Sequence, residues 1–275
     1  MNILNAWFFI CSPLVQVRRY KSSCSALPRF KTVQWVAALW CIFVSTEALS
    51  QQVAIASPIS IPPYIFSDSD TGIQLDIVRE SLIIAGHSLK VLYTSNNRGL
   101  STLKTKKADG MINVPAGNSD LYYSESTIEY QNGVIALKKR NLELTQISDL
   151  RRYRVVGFQN ASNYFGEAFK TMTQQNSRYD EVVNQLAQLN MLFKRRCDLI
   201  VMDHRIFNHY LNTHKEELGF EQKTVFYELL PPSPRYVAFH DKALRDSFNK
   251  GLTQLKESGR HQVIIDSYLR ETDVP

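Results

Sequence analysis

From Gln51 onward, short apolar runs alternate with segments whose apolar residues recur at helical spacing, a pattern typical of α/β proteins. The short apolar runs predict strands at residues 53–56, 89–93, 110–114, 134–137, 154–157, 199–202 and 236–239. The helical spacing predicts helices at residues 73–85, 100–106, from about 162, 182–194, 205–213, 242–257 and 260–269. Two successive α/β sets of this size indicate two lobes, each with its own buried core.

Two points along this pattern indicate passages of the chain from one lobe to the other. The strand at 134–137 runs into the charged stretch from Lys138, and the prolines Pro231, Pro232 and Pro234 precede the strand at 236–239. We therefore predict a discontinuous first lobe of residues 51–138 and 232–275, and a second lobe of residues 139–231.

The net charge of +6 is concentrated ahead of this pattern. Residues 1–50 contain five basic residues and one acidic residue, which leaves +2 for the remainder and gives no reason to expect nucleic-acid binding. Arg29 and Lys31 precede an apolar run at 33–44, and the small-x-small motif Ala48-Leu49-Ser50 follows it. This order predicts an N-terminal extension with a secretory signal, cleavage after Ser50 and a periplasmic product. The apolar run is short for a membrane span of about 20 residues, so a retained membrane anchor is the alternative.

The residues that commonly carry redox, metal or catalytic chemistry form no recognisable motif. After Ser50 the chain has a single cysteine, Cys197, which excludes an internal disulfide in the predicted mature chain. His204, His209 and His214 are five residues apart, a spacing that does not keep them on one helical face. We expect no metal, no cofactor and no enzymatic activity.

A series of short motifs follows one order along both predicted lobes. The first lobe contains Pro62-Pro63-Tyr64, then Gly72 and Asp76 at a helix start, then Lys107-Ala108-Asp109-Gly110 before a strand, and Tyr123-Ser124. The second lobe contains Gly157-Phe158-Gln159-Asn160-Ala161-Ser162 and the strand segment 197–203 that ends at Asp203, and Gly259 precedes the last helix. In this order, over nearly the whole mature chain, the motifs resemble the family 3 extracellular solute-binding proteins, the polar-amino-acid binding components of ABC importers.

This resemblance implies the α/β, two-lobed fold of the periplasmic binding proteins, type II, with a mixed sheet flanked by helices in each lobe and two hinge crossings. It also implies a cleft between the lobes. Tyr64 can offer a flat stacking face to a ligand there, or it packs in the core after the Pro-Pro bend.

Asn160, Ala161 and Ser162 precede a predicted helix, where backbone N–H groups and the Ser162 hydroxyl suit a ligand carboxylate. The alternative is that Asn160 or Ser162 caps the helix, and both can hold together. Asp203 ends a strand on the side where open α/β sheets bind ligands, and the resemblance implies that it pairs with a ligand ammonium group. Its alternative is an N-cap for the helix that follows.

One family feature is missing. Family members that bind α-amino acids have an arginine shortly after the third strand, and its guanidinium forms a bidentate hydrogen bond with the ligand carboxylate. Here the stretch that begins at Asn113 and ends at Asp120 contains no arginine. Asn113 remains a candidate ligand group, and Arg98, at a helix start facing the cleft mouth, is a substitute unless it is a solvated helix-start residue.

We therefore predict an exported, monomeric solute-binding protein that closes on a small polar, amino-acid-like ligand and delivers it to the permease of an ABC importer. One alternative is a sensory binding protein that signals in trans through a membrane sensor. A less favoured alternative is a dehydratase-type enzyme on the same fold, for which Asp203 and Glu125 are the available acid-base groups.

Overall fold

The structure, a computed structural model, describes residues 51–115, residue 117 and residues 120–270. The predicted targeting segment and its cleavage point after Ser50 lie outside the described residues. No helix in the described part combines the length and apolar character needed to cross a membrane. The chain forms an α/β fold with two mixed sheets flanked by helices, as predicted.

The strands are numbered in chain order: β1 (Gln51–Ser57), β2 (Ser60–Ile61), β3 (Ile65–Phe66), β4 (His87–Tyr93), β5 (Gly110–Val114), β6 (Tyr122–Tyr123), β7 (Ile128–Tyr130), β8 (Asn132–Leu137), β9 (Val155–Phe158), β10 (Tyr179–Val182), β11 (Leu199–Asp203), β12 (Thr224–Tyr227) and β13 (Ser233–Phe239). The α-helices are α1 (Ile73–Ile84), α2 (Asn96–Lys104), α3 (Gly166–Gln175), α4 (Gln185–Phe193), α5 (His204–Leu218), α6 (Lys242–Glu257) and α7 (Arg260–Arg270).

The first sheet has the strand order β4-β1-β5-β13-β6, and β7 also pairs with β13. Strands β1, β4 and β5 are parallel, whereas β13 returns from the second half of the chain and runs antiparallel to β5, β6 and β7. The second sheet repeats this plan with the order β10-β9-β11-β8-β12. In it β9, β10 and β11 are parallel, and β8 runs antiparallel to β11 and β12.

The chain passes between the sheets at two points. It leaves the first sheet after Tyr130 and enters the second at Asn132, and it returns between Tyr227 and Ser233. The first passage was predicted near residue 138, which is too far along the chain. The apolar strand β8 is buried along its whole length between β11 and β12, so it belongs to the second sheet.

The bounds of two helices in the second lobe also differ from the predicted bounds. The predicted helix at 182–194 starts only at Gln185, and the residues before it form the edge strand β10. Asn184 caps α4 by accepting a hydrogen bond from the Ala187 amide, which ends the strand and begins the helix. Only a 3₁₀ turn, Ala161–Asn163, follows β9 directly, and α3 begins later at Gly166.

The Pro-Pro-Tyr segment is held against the start of α1. The amides of Ile73 and Gln74 donate to the carbonyl oxygens of Pro63 and Tyr64, at 3.0 and 3.1 Å. Gly72 has φ 131°, and a Cβ there would lie 2.4 Å from the Tyr64 carbonyl oxygen, so only glycine allows this approach. These contacts fix the backbone of Tyr64.

Candidate functional site

A direct hydrogen bond joins the two lobes. The Tyr64 hydroxyl donates to Asp203 Oδ1 at 2.9 Å, and the two side chains are separated by 139 positions in the chain. Tyr64 is fully buried and Asp203 is 1% exposed. Asp203 is the last residue of β11, at the carboxyl edge where parallel sheets bind ligands.

The two carboxylate oxygens of Asp203 have different surroundings. Oδ1 caps α5 by accepting from the amides of Arg205 and Ile206, both at 3.0 Å, in addition to the Tyr64 hydroxyl. Oδ2 is buried and has no hydrogen-bond partner of ordinary geometry among the described residues. Burial raises the pKa of Asp203, and the hydrogen bonds from Ile206 and Tyr64 oppose this rise only in part. Both predicted roles therefore remain open to Asp203: it caps the helix with one oxygen and has the other available.

An aromatic stack extends the site from Tyr64 along the first crossing. The rings of Tyr64 and Tyr130 are parallel within 16°, with centroids 4.0 Å apart. Arg205 Nη1 donates to the Glu129 carbonyl oxygen at 3.1 Å and lies 3.4 Å from the Tyr64 hydroxyl. The Tyr130 hydroxyl is buried without a hydrogen-bond partner in the described part of the chain. Burial raises the pKa of both tyrosines, so both hydroxyls remain protonated at neutral pH.

Arg235, on β13 at the second crossing, completes the cluster. Its guanidinium carbon lies 4.7 Å from the Tyr130 ring centroid and 5.0 Å from that of Tyr164. The residue is 4% exposed, and both Nε and Nη1 are buried without a hydrogen-bond partner among the residues described. Arg235 was not among the site residues predicted from the sequence. In the sequence, Arg235 directly follows the prolines Pro231, Pro232 and Pro234. These prolines indicated only a passage of the chain between the lobes.

The amides predicted to hold a ligand carboxylate are already bonded within the protein. The backbone N–H groups of Asn160 and Ser162 donate to the carboxylate of Glu181, at 2.6 and 2.8 Å. Glu181 also accepts from the Tyr179 hydroxyl at 2.8 Å. Burial tends to raise the pKa of Glu181, but the hydrogen bonds from Ser162, Tyr179 and Asn160 outweigh it and lower that pKa.

The other predicted residues have different environments. Ala161 is fully buried beneath the turn, so it can contribute only backbone groups. Arg98 is exposed on α2. Asn113 lies in β5 with φ 60°, and its side-chain Oδ1 is buried without a partner among the described residues. The ligand role predicted for each of these residues stays a prediction.

An opening of about 420 Å³ lies where the two lobes meet. The first lobe contributes residues 58–61 and 94–97, and the second lobe contributes Gln159 and Asn160. Small polar ligands are usually bound in clefts of this size between lobes. The described residues contain no cluster of histidine, cysteine and acidic side chains with the geometry of a metal site.

Comparison with known proteins supports the fold. No protein-family profile matches the chain, and no curated protein matches it. Solved structures do match. A histidine kinase sensor domain with similarity to periplasmic binding proteins aligns with a TM-score of 0.64 and 15% identity, covering 80% of this chain and 96% of that chain.

Two further solved structures are binding proteins. An ancestral arginine-binding protein bound to arginine aligns with a TM-score of 0.62 and 17% identity, covering 79% of this chain and 97% of its own. The second substrate-binding domain of a putative amino acid ABC transporter from Streptococcus pneumoniae Canada MDR_19A aligns with a TM-score of 0.58 and 20% identity, covering 79% of this chain and 99% of that domain. The chain thus has the two-lobed fold of periplasmic-binding-protein-like structures.

Proposed function

We propose that this protein is an exported solute-binding protein that closes its two lobes on a small polar, amino-acid-like ligand. The observation that carries the proposal is the buried carboxylate of Asp203, which has one oxygen bonded across the lobes to Tyr64 and the other without a hydrogen-bond partner of ordinary geometry among the described residues. An unpaired buried carboxylate oxygen is costly unless a partner is supplied. A cationic or hydrogen-bond-donating group of a ligand supplies that partner.

The proposed partner of the loaded protein is the permease of an ABC importer. Similarity to a substrate-binding domain of a putative amino acid ABC transporter supports delivery to a transporter. Similarity to a histidine kinase sensor domain supports the second candidate, in which the protein reports ligand occupancy to a membrane sensor. Loss of labelled-ligand uptake in a strain lacking the gene would favour transport, whereas loss of a ligand-dependent transcriptional response alone would favour sensing.

An enzymatic role has less support. A dehydratase needs an acid or base placed beside the substrate, in addition to Asp203. Glu125, the other predicted candidate, lies 3.6 Å from the Lys256 ammonium group on α6, and 53% of its side chain is exposed. We therefore propose binding without chemical conversion.

The proposal is tested with protein purified from the periplasm after export. Thermal unfolding is followed with L-amino acids, small carboxylates and polyamines, each in excess. A ligand at 100 times its Kd stabilises the native protein by about 2.7 kcal/mol, which raises Tm by about 5–10 °C for a chain of this length. If no compound of the panel raises Tm, the proposed function is contradicted, whereas the fold is unaffected.

A further inference from the structure

Arg235 is a buried cation for which the protein supplies no counter-ion in the part of the chain that the structure describes. It is 4% exposed, and two of its nitrogen atoms, Nε and Nη1, have no hydrogen-bond partner there. Its own carbonyl oxygen accepts from the amide and hydroxyl of Thr127, so the backbone of this strand is fixed. A charged group in such a position is strongly disfavoured unless something else pairs with it.

The two tyrosine rings offset only part of the free-energy cost of burying the Arg235 guanidinium. An aromatic ring attracts a guanidinium through the face of the ring, and Tyr130 and Tyr164 provide this attraction at 4.7 and 5.0 Å. The N–H donors of a guanidinium lie in its own plane and need acceptors there. The rings therefore hold the cation in place, and Nε and Nη1 still have no hydrogen-bond acceptor among the described residues.

Other groups that could bind an anion near the cleft are occupied or exposed. The amides of Asn160 and Ser162 donate to Glu181. Arg205 donates to the Glu129 carbonyl oxygen and lies within hydrogen-bonding distance of Tyr64. Arg98 is exposed on α2, where water screens its charge.

From this arrangement we infer that Arg235 is the carboxylate-binding residue of the site and that the ligand is a small carboxylate compound. Tyr130 contacts both Arg235 and Tyr64, and Tyr64 in turn bonds Asp203. An anion-binding group and a cation-binding group thus lie along one aromatic stack, an arrangement suited to a molecule that carries a carboxylate and an amine. In a guanidinium, Nη2 together with either Nε or Nη1 supplies two parallel N–H donors, the geometry that matches a planar carboxylate. Tyr164 is 40% exposed, so the site borders solvent on the side of that ring.

This inference rests on the proposed function, and its test separates the two. The full exported protein is compared with its Arg235→Gln variant, and Arg196→Gln serves as the matched control on an exposed arginine that follows α4. Binding of glycine, L-glutamine and L-glutamate is measured by calorimetry beside that of their α-carboxamides. Thermal shifts with acetate, succinate and inorganic phosphate are recorded in parallel.

The natural protein is expected to bind the preferred carboxylate compound at least tenfold more tightly than its carboxamide. Arg235→Gln is expected to lose that preference, and Arg196→Gln to keep it within twofold. Equal affinity of the natural protein and Arg235→Gln for the carboxylate compound overturns the inference. So does a natural protein that does not distinguish carboxylate from carboxamide, or one that prefers phosphate to every carboxylate.

The thermal-shift series and a second variant keep the inference testable when no amino acid binds or when Arg235→Gln does not fold. If no amino acid binds but succinate or acetate raises Tm in an Arg235-dependent manner, the carboxylate site stands and the proposed function fails. If no carboxylate raises Tm or binds, both fail. If Arg235→Gln does not fold, as judged by circular dichroism, Arg235→Lys replaces it. A lysine ammonium group cannot donate the two parallel hydrogen bonds of a guanidinium to a carboxylate. The affinity of Arg235→Lys for the carboxylate compound should therefore fall at least threefold, and an unchanged affinity contradicts the inference.

Discussion

At the scale of single residues, Asp203 divides two tasks between its oxygens. Oδ1 caps α5 and accepts the Tyr64 hydroxyl, while Oδ2 has no hydrogen-bond partner of ordinary geometry among the described residues. Because burial raises the pKa of Asp203, its ionised form is less stable in the folded chain than in the unfolded chain. Its contribution to the free energy of unfolding is therefore greatest when it is protonated and falls as pH rises towards the raised pKa.

The variant Asp203→Asn distinguishes the helix-capping role of Asp203 from the role of its negative charge. Asparagine caps helices as well as aspartate does, and it can still accept the Tyr64 hydroxyl. At pH 7 we expect the ligand-free variant to unfold with a free energy equal to or above that of the natural protein. We expect its affinity for amine-bearing ligands to fall at least tenfold, about 1.4 kcal/mol. Denaturant unfolding and calorimetry measure the two quantities.

The matched control is Asp241→Asn, since Asp241 caps α6 through the Leu244 amide in an exposed position. This variant should leave binding unchanged. Unchanged binding in Asp203→Asn as well would restrict Asp203 to a capping role.

Part of this cluster is predictable from the sequence because the signals are local. Tyr64 follows a Pro-Pro bend and Asp203 ends an apolar strand, and the two side chains meet across the lobes. Arg235 was not found, because its significance depends on rings that lie 105 and 71 positions earlier in the chain. Likewise, nothing in the segment Asn160–Ser162 indicates that Glu181 occupies its amides.

At the scale of elements, a side chain of the edge strand β10 holds the turn after β9 in place. Glu181 on β10 binds the amides of Asn160 and Ser162, and thereby joins two adjacent strands and the 3₁₀ turn. Helix α6 was predicted with its observed bounds because its apolar spacing is regular and Asp241 caps it. Strand β10 was missed because its residues are mostly polar, as is usual at the edge of a sheet.

Removal of the Glu181 charge should destabilise the turn in a pH-dependent way. Because the folded-state pKa of Glu181 lies below its ordinary value of 4.5, its contribution is present above that value and is lost as pH falls through the folded pKa. We expect Glu181→Gln to lower the free energy of unfolding by about 1 kcal/mol at pH 7, since one oxygen acceptor and the charge are lost. The difference from the natural protein should shrink as the pH is lowered towards 3.

Urea unfolding at a series of pH values measures this effect. Glu167→Gln is the control, because the Glu167 side chain is 86% exposed and lies 3.5 Å from the Lys170 ammonium group. A pH-independent difference for Glu181→Gln would contradict the assigned charge effect.

At the scale of the whole molecule, the two sheets are joined by two passages and by contacts across the cleft. Hinge closure of two lobes around a ligand is a common motion for such an arrangement. Asn97 in the first lobe and Asn160 in the second line the same opening. Cys197 is the single cysteine after Ser50 and is 5% exposed, so cysteines introduced at the opening can be labelled selectively.

Spin labels on Asn97→Cys and Asn160→Cys, in a Cys197→Ser background, test whether ligand selects one arrangement of the lobes. We expect the distribution of label distances to narrow when a ligand from the thermal panel is added, because ligand binding favours one arrangement over others. Labels on Asn97→Cys and Lys242→Cys, both in the first lobe, should show no change. A distribution between Asn97 and Asn160 that is insensitive to ligand would contradict hinge closure.

In the proposed role, a ligand amine binds Oδ2 of Asp203 while Oδ1 stays bonded to the Tyr64 hydroxyl. Because both residues are buried, we expect this contact to form only in molecules whose lobes have moved apart far enough to admit the ligand. The measured affinity is then the intrinsic affinity multiplied by the fraction of such molecules. A chain that fits its ligand well can accordingly bind it only modestly, and the strength of the Tyr64–Asp203 hydrogen bond is expected to set the concentration at which the protein begins to respond.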